Sequence, residues 1–419
     1  MRRYVIIIIT IVLLGCEQED ELNKRSSVIW QPDPRAFISD SKIQLKWFNA
    51  IIHNLILFPY EIVNPDKFEI YIAEGNLNVF RKLVELHNDG KYTYTIDNLE
   101  NGKTYFFYVV SKKFGYYPLT SDTIMAIPNE ETSFEDVLTS EYPHTIVSVS
   151  NAVKINKIVY VDKYYSWNGG ENCCMAVSIL ISNTDGSDKE LLEINGFEPS
   201  WSPDNNKIVY RSENGEINRG SGMPSQIALF DYNTKAITKL TDDTVYNYAP
   251  VFSPNGELVL YQSTKNGPDT YSTNIWLMNA STHEATQITD IANTTLTNAG
   301  RPDWIDNENF LFPGVGPENK SRIYESSILT KDIKLKIDSR WNDYCPSISP
   351  DKNKIAFISD RSGTNQIWIF TIGNKTLRQL AGFSIDDYLD ENWNKIEWID
   401  NLTIQFTLED NKYIKQQIE

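Results

Sequence analysis

Between residues 34 and 128, short runs alternate apolar and polar side chains. Lys42-Ile43-Gln44-Leu45-Lys46-Trp47 does so, and residues 68–72, 92–96 and 105–110 follow the same pattern. Turn formers separate the runs: Asn64-Pro65-Asp66, Asn88-Asp89-Gly90 and Asn101-Gly102. A period of two, broken by turns at this density, predicts short strands in an antiparallel sandwich. Residues 51–59 are too apolar for an ordinary loop and are expected to extend a strand or to form a patch facing the next domain. His53 and His87 fall in this region as surface or edge residues, with no chemistry assigned to them.

From residue 134 onward the pattern becomes a repeat. Pro199, Ser202-Pro203-Asp204 and Lys207-Ile208-Val209-Tyr210 match Pro250, Ser253-Pro254-Asn255 and Leu258-Val259-Leu260-Tyr261, and again Pro346, Ser349-Pro350-Asp351 and Lys354-Ile355-Ala356-Phe357. Weaker copies surround Pro302 with Trp304, Trp398 with Asp400, and Lys157-Ile158-Val159-Tyr160. Anchored on the leading Pro, the equivalent positions are 149, 199, 250, 302, 346 and 396. A near-constant period of this length, with several strands per copy, predicts six propeller blades. In the second copy the four strands are expected at residues 198–201, 207–212, 226–232 and 236–240. Ser-Pro-Asp/Asn forms the first hairpin turn, because Pro presets φ and Asp or Asn bonds its own backbone. The same chemistry accounts for Asn183, Asp185 and Asp188 as a turn, and their spacing is not that of an EF-hand. The last copy runs out after three strands. Residues 135–141 are expected to supply its fourth strand, which would remove a free edge and fasten the two ends together.

Two resemblances follow from these motifs. Trp47 at the end of a second strand, with Leu99-Glu100-Asn101-Gly102-Lys103-Thr104-Tyr105, resembles a fibronectin type III domain, in which the Tyr hydroxyl ties back to the backbone. That family implies a spacer that lifts the next domain off the membrane. Ser-Pro-Asp followed by Lys-Ile-x-Phe/Tyr-x-Ser resembles the TolB-type WD40-like repeat, here behind a different N-terminal domain. The expected fold class is all-β: a fibronectin III-like sandwich over residues 34–128, then a TolB-like six-bladed β-propeller over residues 134–419.

The N-terminus adds a location. Arg2-Arg3, an apolar run over residues 5–14 and Gly15-Cys16 form a secretory signal, and the run is too short to span a bilayer. Leu13-Leu14-Gly15-Cys16 resembles a bacterial lipobox, which implies cleavage after residue 15 and a diacylglycerol on Cys16. Residues 16–33 then form a tether that opens with Glu17-Gln18-Glu19-Asp20-Glu21. This acidic cluster resembles the export signal of surface lipoproteins, so an outer-membrane lipid anchor facing the cell surface is expected, with the periplasmic face as the alternative. Losing Arg2 and Arg3 moves the formal charge from −17 to −19. That excludes nucleic acid and anionic head groups as natural partners. After lipidation Cys173, Cys174 and Cys345 remain, an odd number with no zinc spacing. A disulfide between the residue 169–174 loop and Cys345 is left open.

Strands within a blade alternate in direction, so the loops between second and third strands share a face with the crossings between blades. These segments are long: residues 163–175, 213–225, 265–273 and 314–322, with crossings at 290–300 and 383–392. Long loops on one rim of a rigid scaffold concentrate function. That rim carries Tyr165, Trp167, Asn247, Tyr248, Arg301, Trp341, Asp343, Tyr344 and Arg361 as candidate ligand-binding residues, of types enriched at binding hot spots. No Gly-x-Ser-x-Gly elbow, zincin helix, Walker loop or cofactor motif is present. No catalytic residue, metal or cofactor is therefore assigned. The expected function is a non-catalytic binding or assembly module for an envelope protein or a polysaccharide. The alternative is a propeller-type glycan hydrolase or lyase using a carboxylate pair such as Asp343 with Glu198.

Overall fold

A computed structural model describes residues 27–28, 34–39, 41–47, 52–53, 62–63, 65–90, 92–113, 118–129, 134–139, 144–166, 174–213, 224–242, 244–269, 271–380, 395–408 and 412–418. Residues 1–26, with Cys16 and the acidic cluster behind it, lie outside them. The chain divides into two compact units, residues 1–130 and 131–419. The described residues are almost wholly β, with only two single-turn helical pieces at Val153–Ile155 and Ile291–Asn293.

In the first unit one sheet joins Pro34–Ser39, Lys42–Trp47 and Thr93–Ile96. A second joins Leu119–Thr120, Tyr105–Lys112, Lys67–Glu74 and Arg81–His87, with Ile124–Ala126 also on Tyr105–Lys112. The alternation read from the sequence decides what is buried: Ile43, Leu45 and Trp47 from the first sheet, and Phe68, Ile70, Phe107 and Val109 from the second. Trp47 meets Phe68 edge-on, with ring centroids 5.5 Å apart. Tyr105 is buried, and its Oη accepts the backbone N–H of Glu100 at 3.1 Å, the tie expected at that corner. Ile52–His53 pairs with Ser27–Val28 and Ile62–Val63, so part of the apolar 51–59 run is strand, while the rest lies outside the described residues. On the second sheet Glu69 is buried beneath Lys112 (2.7 Å), Lys82 (3.2 Å) and Tyr71 (2.9 Å).

The second unit contains six antiparallel sheets among the described residues. The first is His144–Ala152, Lys157–Ser166, Cys174–Asn183 and Glu190–Ile194; the second is Gly196–Trp201, Lys207–Glu213, Ser225–Asp231 and Ile237–Lys239. The third is Asn247–Phe252, Leu258–Ser263, Asn274–Asn279 and Ala285–Gln287; the fifth is Asp343–Ile348, Lys354–Ser359, Gln366–Thr371 and Thr376–Gln379. In the fourth, the innermost strand is broken into Asn298–Ala299 and Asp303–Trp304, ahead of Asn309–Val315, Ser321–Ser327 and Ile333–Ile337. The sixth holds Glu397–Trp398, Thr403–Leu408 and Lys412–Gln417, and its outermost strand is Phe134–Thr139, antiparallel to Lys412–Gln417. The stretch ahead of the first copy does complete the last sheet.

Each sheet packs on the next, and the sixth packs on the first. Between the second and third, for example, Val209, Ile227 and Leu229 meet Phe252, Val259, Tyr261, Trp276 and Met278. The Ser-Pro-Asp/Asn turns also bond sideways. The Asn255 N–H donates to Asn307 Oδ1 at 3.0 Å, and the Asp351 N–H to Asn401 Oδ1 at 2.9 Å. Two of the expected long loops are shorter than the sequence suggests. Strand pairing runs on to Ser166 opposite Cys174 and to Val315 opposite Ser321. The β-branched and aromatic residues there favour continuing the ladder over forming loop.

Candidate functional site

The innermost strands of the sheets carry a shared irregularity. Register shifts fall between Phe197 and Ser200, Tyr248 and Val251, and Tyr344 and Ser347. At each bulge the residue before the anchoring Pro has positive φ: Glu198 (53°), Ala249 (47°) and Cys345 (48°). Residues with a Cβ adopt this left-handed region at a cost of order 1–3 kcal/mol, so the surrounding sheet must enforce it. In the fourth sheet the break at Gly300–Pro302 takes the place of the bulge. A Cβ on Gly300 would lie 2.7 Å from Pro313 Cγ, so only glycine permits that approach. Arg301 follows directly.

Glu198, Ala249, Arg301, Cys345 and Lys395 line one cavity, all at the same offset from the repeat anchor, together with Pro199, Pro250, Pro302, Pro346 and Asp303. At about 30 Å³ the cavity holds a water or two and no organic ligand. Charged residues occupy the offset in the second, fourth and sixth sheets. Small ones (Ala249 and Cys345) occupy it in the third and fifth.

The charges are held in a network. Glu198 Oε1 accepts from Arg301 Nη2 at 2.9 Å, and Glu198 Oε2 accepts the Ala249 N–H at 2.7 Å. Glu397 accepts the Asn151 N–H at 3.0 Å and binds Lys395 Nζ at 2.8 Å. Asp303 Oδ2 accepts the Ile348 N–H at 3.2 Å. Each of the three carboxylates thus receives a backbone N–H from the following sheet. Burial pushes the Asp303 carboxyl up to about 6 against the pull of Lys395.

Beside this mouth, the Arg211 guanidinium lies 4.1 Å from the Phe197 ring centroid and 5.2 Å from that of Tyr248. The Tyr248 ring runs parallel to Tyr246, with centroids 6.2 Å apart. Burial pushes the Tyr248 phenol up to about 12 and also raises Glu213, which Arg211 opposes at 3.4 Å.

The residues expected at the rim divide. Tyr248 and Arg301 belong to the mouth. Asn247 is buried as an inter-sheet latch: its Nδ2 donates to the Ser225 carbonyl at 2.7 Å, and its N–H to Ser225 Oγ at 2.9 Å. Asp343 and Arg361 are buried against each other, Nη2 to Oδ1 at 2.5 Å, beneath Trp341, Phe357 and Trp368. Burial raises the Asp343 carboxyl, and Arg361 opposes the rise. Asp343 does not line the cavity with Glu198, so the Asp343–Glu198 pair is not assembled there. Tyr344 packs partly buried on the core between the fifth and sixth sheets. Trp167 and Cys173, and the side chains of Tyr165 and Cys174, lie outside the described residues. Cys345 is buried. Among the described residues no group of three or more His, Cys, Asp or Glu gathers as for a metal ion. Sequence reasoning missed Arg211, Lys395 and Asp303. Lys395 stands at the same repeat offset as Arg301, a signal that was available.

Comparison with known proteins places these features. No family model matches the chain. It is 28% identical over 229 residues to the Tol-Pal system protein TolB of Francisella tularensis subsp. mediasiatica, covering 50% of this chain and 46% of that protein. The chain carries a TolB-like β-propeller. The TolB of Francisella tularensis subsp. holarctica is 27% identical over the same span, so the chain spans about half the length of the curated relatives it matches. Among solved structures, TolB from Acinetobacter baumannii aligns with a TM-score of 0.43 at 21% identity, over 58% of this chain and 60% of that one. Oligogalacturonate lyase in complex with manganese aligns at 0.42 and 12% identity, over 83% and 98%.

Proposed function

We propose that the chain is an outer-membrane lipoprotein, anchored through Cys16 and exposed at the cell surface, that works as a non-catalytic binding or assembly module. In this reading the first unit is a fibronectin III-like spacer. The second is a six-bladed propeller closed by Phe134–Thr139, and it presents its long-loop face to an envelope protein or a polysaccharide. The observation that carries the reading is the commitment of the mouth carboxylates. Glu198, Asp303 and Glu397 each hold a backbone N–H of the next sheet, which leaves them as staples around a cavity too small for a substrate. The Francisella relatives are Tol-Pal system proteins, which supports an assembly role.

The test is crosslinking from intact envelopes through photoreactive groups placed at Tyr271 and Tyr248, with protease accessibility on whole cells. Capture of a discrete partner at the rim, and shaving of the chain from intact cells, are expected. Crosslinks that map only to the Ser-Pro-Asp turns would overturn the assigned face. The hydrolase or lyase reading draws on one observation, the raised Asp303 carboxyl in the channel. It requires glycan turnover that Asp303→Asn abolishes.

A further inference from the structure

We infer that one amide pair, Asn151 with Gln405, decides which two sheets close the ring. This rests on the six-bladed reading above and adds how the chain comes to close at six.

The repeat makes the sheets interchangeable where they pack. At the second residue after the anchor stand Trp201, Phe252, Trp304, Ile348 and Trp398. At one offset of the second strand stand Val159, Val209, Leu260, Leu311 and Ala356, all fully buried. The two positions meet across the boundaries: Val159 shares a core with Trp201, Val209 with Phe252, Leu260 with Trp304 and Ala356 with Trp398. Apolar contacts of this kind are non-directional, so they do not distinguish one boundary from another.

The boundary between the sixth and first sheets departs at both positions at once. The first sheet has Asn151 where the others have an aromatic or aliphatic residue, and the sixth has Gln405 where the others have Val, Leu or Ala. Asn151 Nδ2 donates to Gln405 Oε1 at 2.7 Å, and the Asn151 N–H donates to Glu397 Oε2 at 3.0 Å. Gln405 is buried. Elsewhere the chain runs on from one complete sheet into the next. Here the sixth sheet is complete only once Phe134–Thr139 has paired with Lys412–Gln417, and until the ends meet both faces of the seam lie open.

Stability does not require the pair. Asn151 Oδ1 is buried with no hydrogen-bond partner, and replacing both members of a hydrogen-bonded pair by apolar groups of like shape is often neutral or better. Specificity does require it. An amide set against an apolar side chain gives up water and gains no partner, so it rejects every surface but its complement. A ring of five closed by the fifth sheet on the first would set Asn151 against Ala356. One closed by the sixth sheet on the second would set Gln405 against Trp201. Both strand an amide, as does packing of either open face on an apolar face of another chain. A single buried Asn fixes register and partner number in coiled coils by the same means. A departure confined to one boundary serves what that boundary alone needs.

The full chain is refolded from urea at rising protein concentration, and monomer yield is read by size exclusion with light scattering. Asn151→Leu and Gln405→Leu are each expected to lower the melting temperature by about 3–8 °C. Combined, they are expected to restore it, since the seam is then apolar like the others. The same double variant is expected to lose at least about half its monomer yield at concentrations where the wild type refolds cleanly. Asn151→Gln with Gln405→Asn keeps an amide at each position and is expected to refold like the wild type. A double leucine variant that refolds as cleanly as the wild type, or a swapped pair that refolds as poorly as the double leucine variant, overturns the proposal and leaves the ring standing. Melting shifts that simply add, with no recovery in the double leucine variant, show that the two sheets do not meet, and the six-bladed reading falls as well.

Discussion

Replacing Arg361 by Met is the sharpest test of how the fifth sheet is held. Asp343 is fully buried, and its side chain relies on Arg361 for its charged partner, since Asp343 Oδ2 makes no hydrogen bond. The Arg361 guanidinium also lies 5.0 Å over Phe357 and 5.1 Å over Trp368, and its Nε donates to Ser359 Oγ at 2.9 Å. Removing one member of a buried pair strands the other charge and costs about 3–5 kcal/mol. Met fills much of the same volume, so the loss is electrostatic rather than steric. Urea unfolding followed by tryptophan fluorescence should show it at pH 7. Without Arg361 the Asp343 carboxyl takes up a proton more readily in the folded than in the unfolded chain. The deficit should therefore shrink as the pH falls through its raised folded pKa. Asp343→Leu with Arg361→Met should recover most of the loss, because replacing both members of such a pair by apolar groups is often neutral. A single-variant cost below about 1 kcal/mol, or a double variant no better than the single, would show that the pair is not what holds this sheet.

Four further outcomes are expected. Burial raises the Glu69 carboxyl, but hydrogen bonds from Lys112, Tyr71 and Lys82 outweigh it and bring it to about 2, below its ordinary 4.5. Its stabilisation, about 3 kcal/mol, is present above pH 4.5 and lost as the pH falls towards 2. Asp303 has the opposite sign, since its folded pKa of about 6 lies above the ordinary 3.8. Its ionisation disfavours the second unit, so that unit gains stability as the pH falls from 6 towards 4, and Asp303→Asn should flatten this trend in unfolding curves. The Trp304 indole donates to the Val251 carbonyl at 3.2 Å and that of Trp398 to Ser347 at 3.0 Å, while the Trp201 Nε1 has no partner. Trp304→Phe should therefore cost about 1 kcal/mol more than Trp201→Phe in the same denaturation assay. Leu138→Pro places a fixed φ opposite Tyr413 in the strand that completes the sixth sheet and disrupts its pairing. A loss of about 3 kcal/mol is expected, with concentration-dependent association at the exposed edge visible by light scattering.

The architecture was legible because it repeats. Ser-Pro-Asp/Asn recurs with its strand behind it, and the hydroxyl donates to the Asp or Asn Oδ1 to close the turn in every strong copy: Ser202 to Asp204 at 2.5 Å, Ser253 to Asn255 at 2.7 Å, Ser349 to Asp351 at 2.6 Å. Local chemistry sets these turns, so local sequence reports them. The pairing of Phe134–Thr139 with Lys412–Gln417 was legible for another reason: counting strands left one sheet a strand short. Loop lengths were not legible at residues 163–175 and 314–322. Whether a hairpin continues or opens depends on pairing across the ladder, which composition alone does not set.

The mouth was only half legible, and the repeat explains which half. A bond that recurs at one offset serves the scaffold. Three residues before each anchor, the carbonyls of Asn247, Ala299 and Asp343 accept from Ser225 Oγ at 2.7 Å, Thr273 Oγ1 at 2.6 Å and Ser321 Oγ at 2.8 Å, one latch at three successive boundaries. Read singly, Asn247 is a polar residue on a long-loop rim; read against its counterparts, it is part of a fastening. Departure from the repeat carries the opposite meaning. At the residue before each anchor, Ala249 and Cys345 are small, whereas Glu198, Arg301 and Lys395 place charge into the same narrow cavity. The scaffold does not require those charges, because the third and fifth sheets bulge equally well without them. The same reasoning separates Arg211 from Tyr210 beside it. The tyrosine matches Tyr160, Tyr261 and Phe357 in other copies and is buried in the core, while the arginine has no counterpart in them and lies between Glu198 and Glu213.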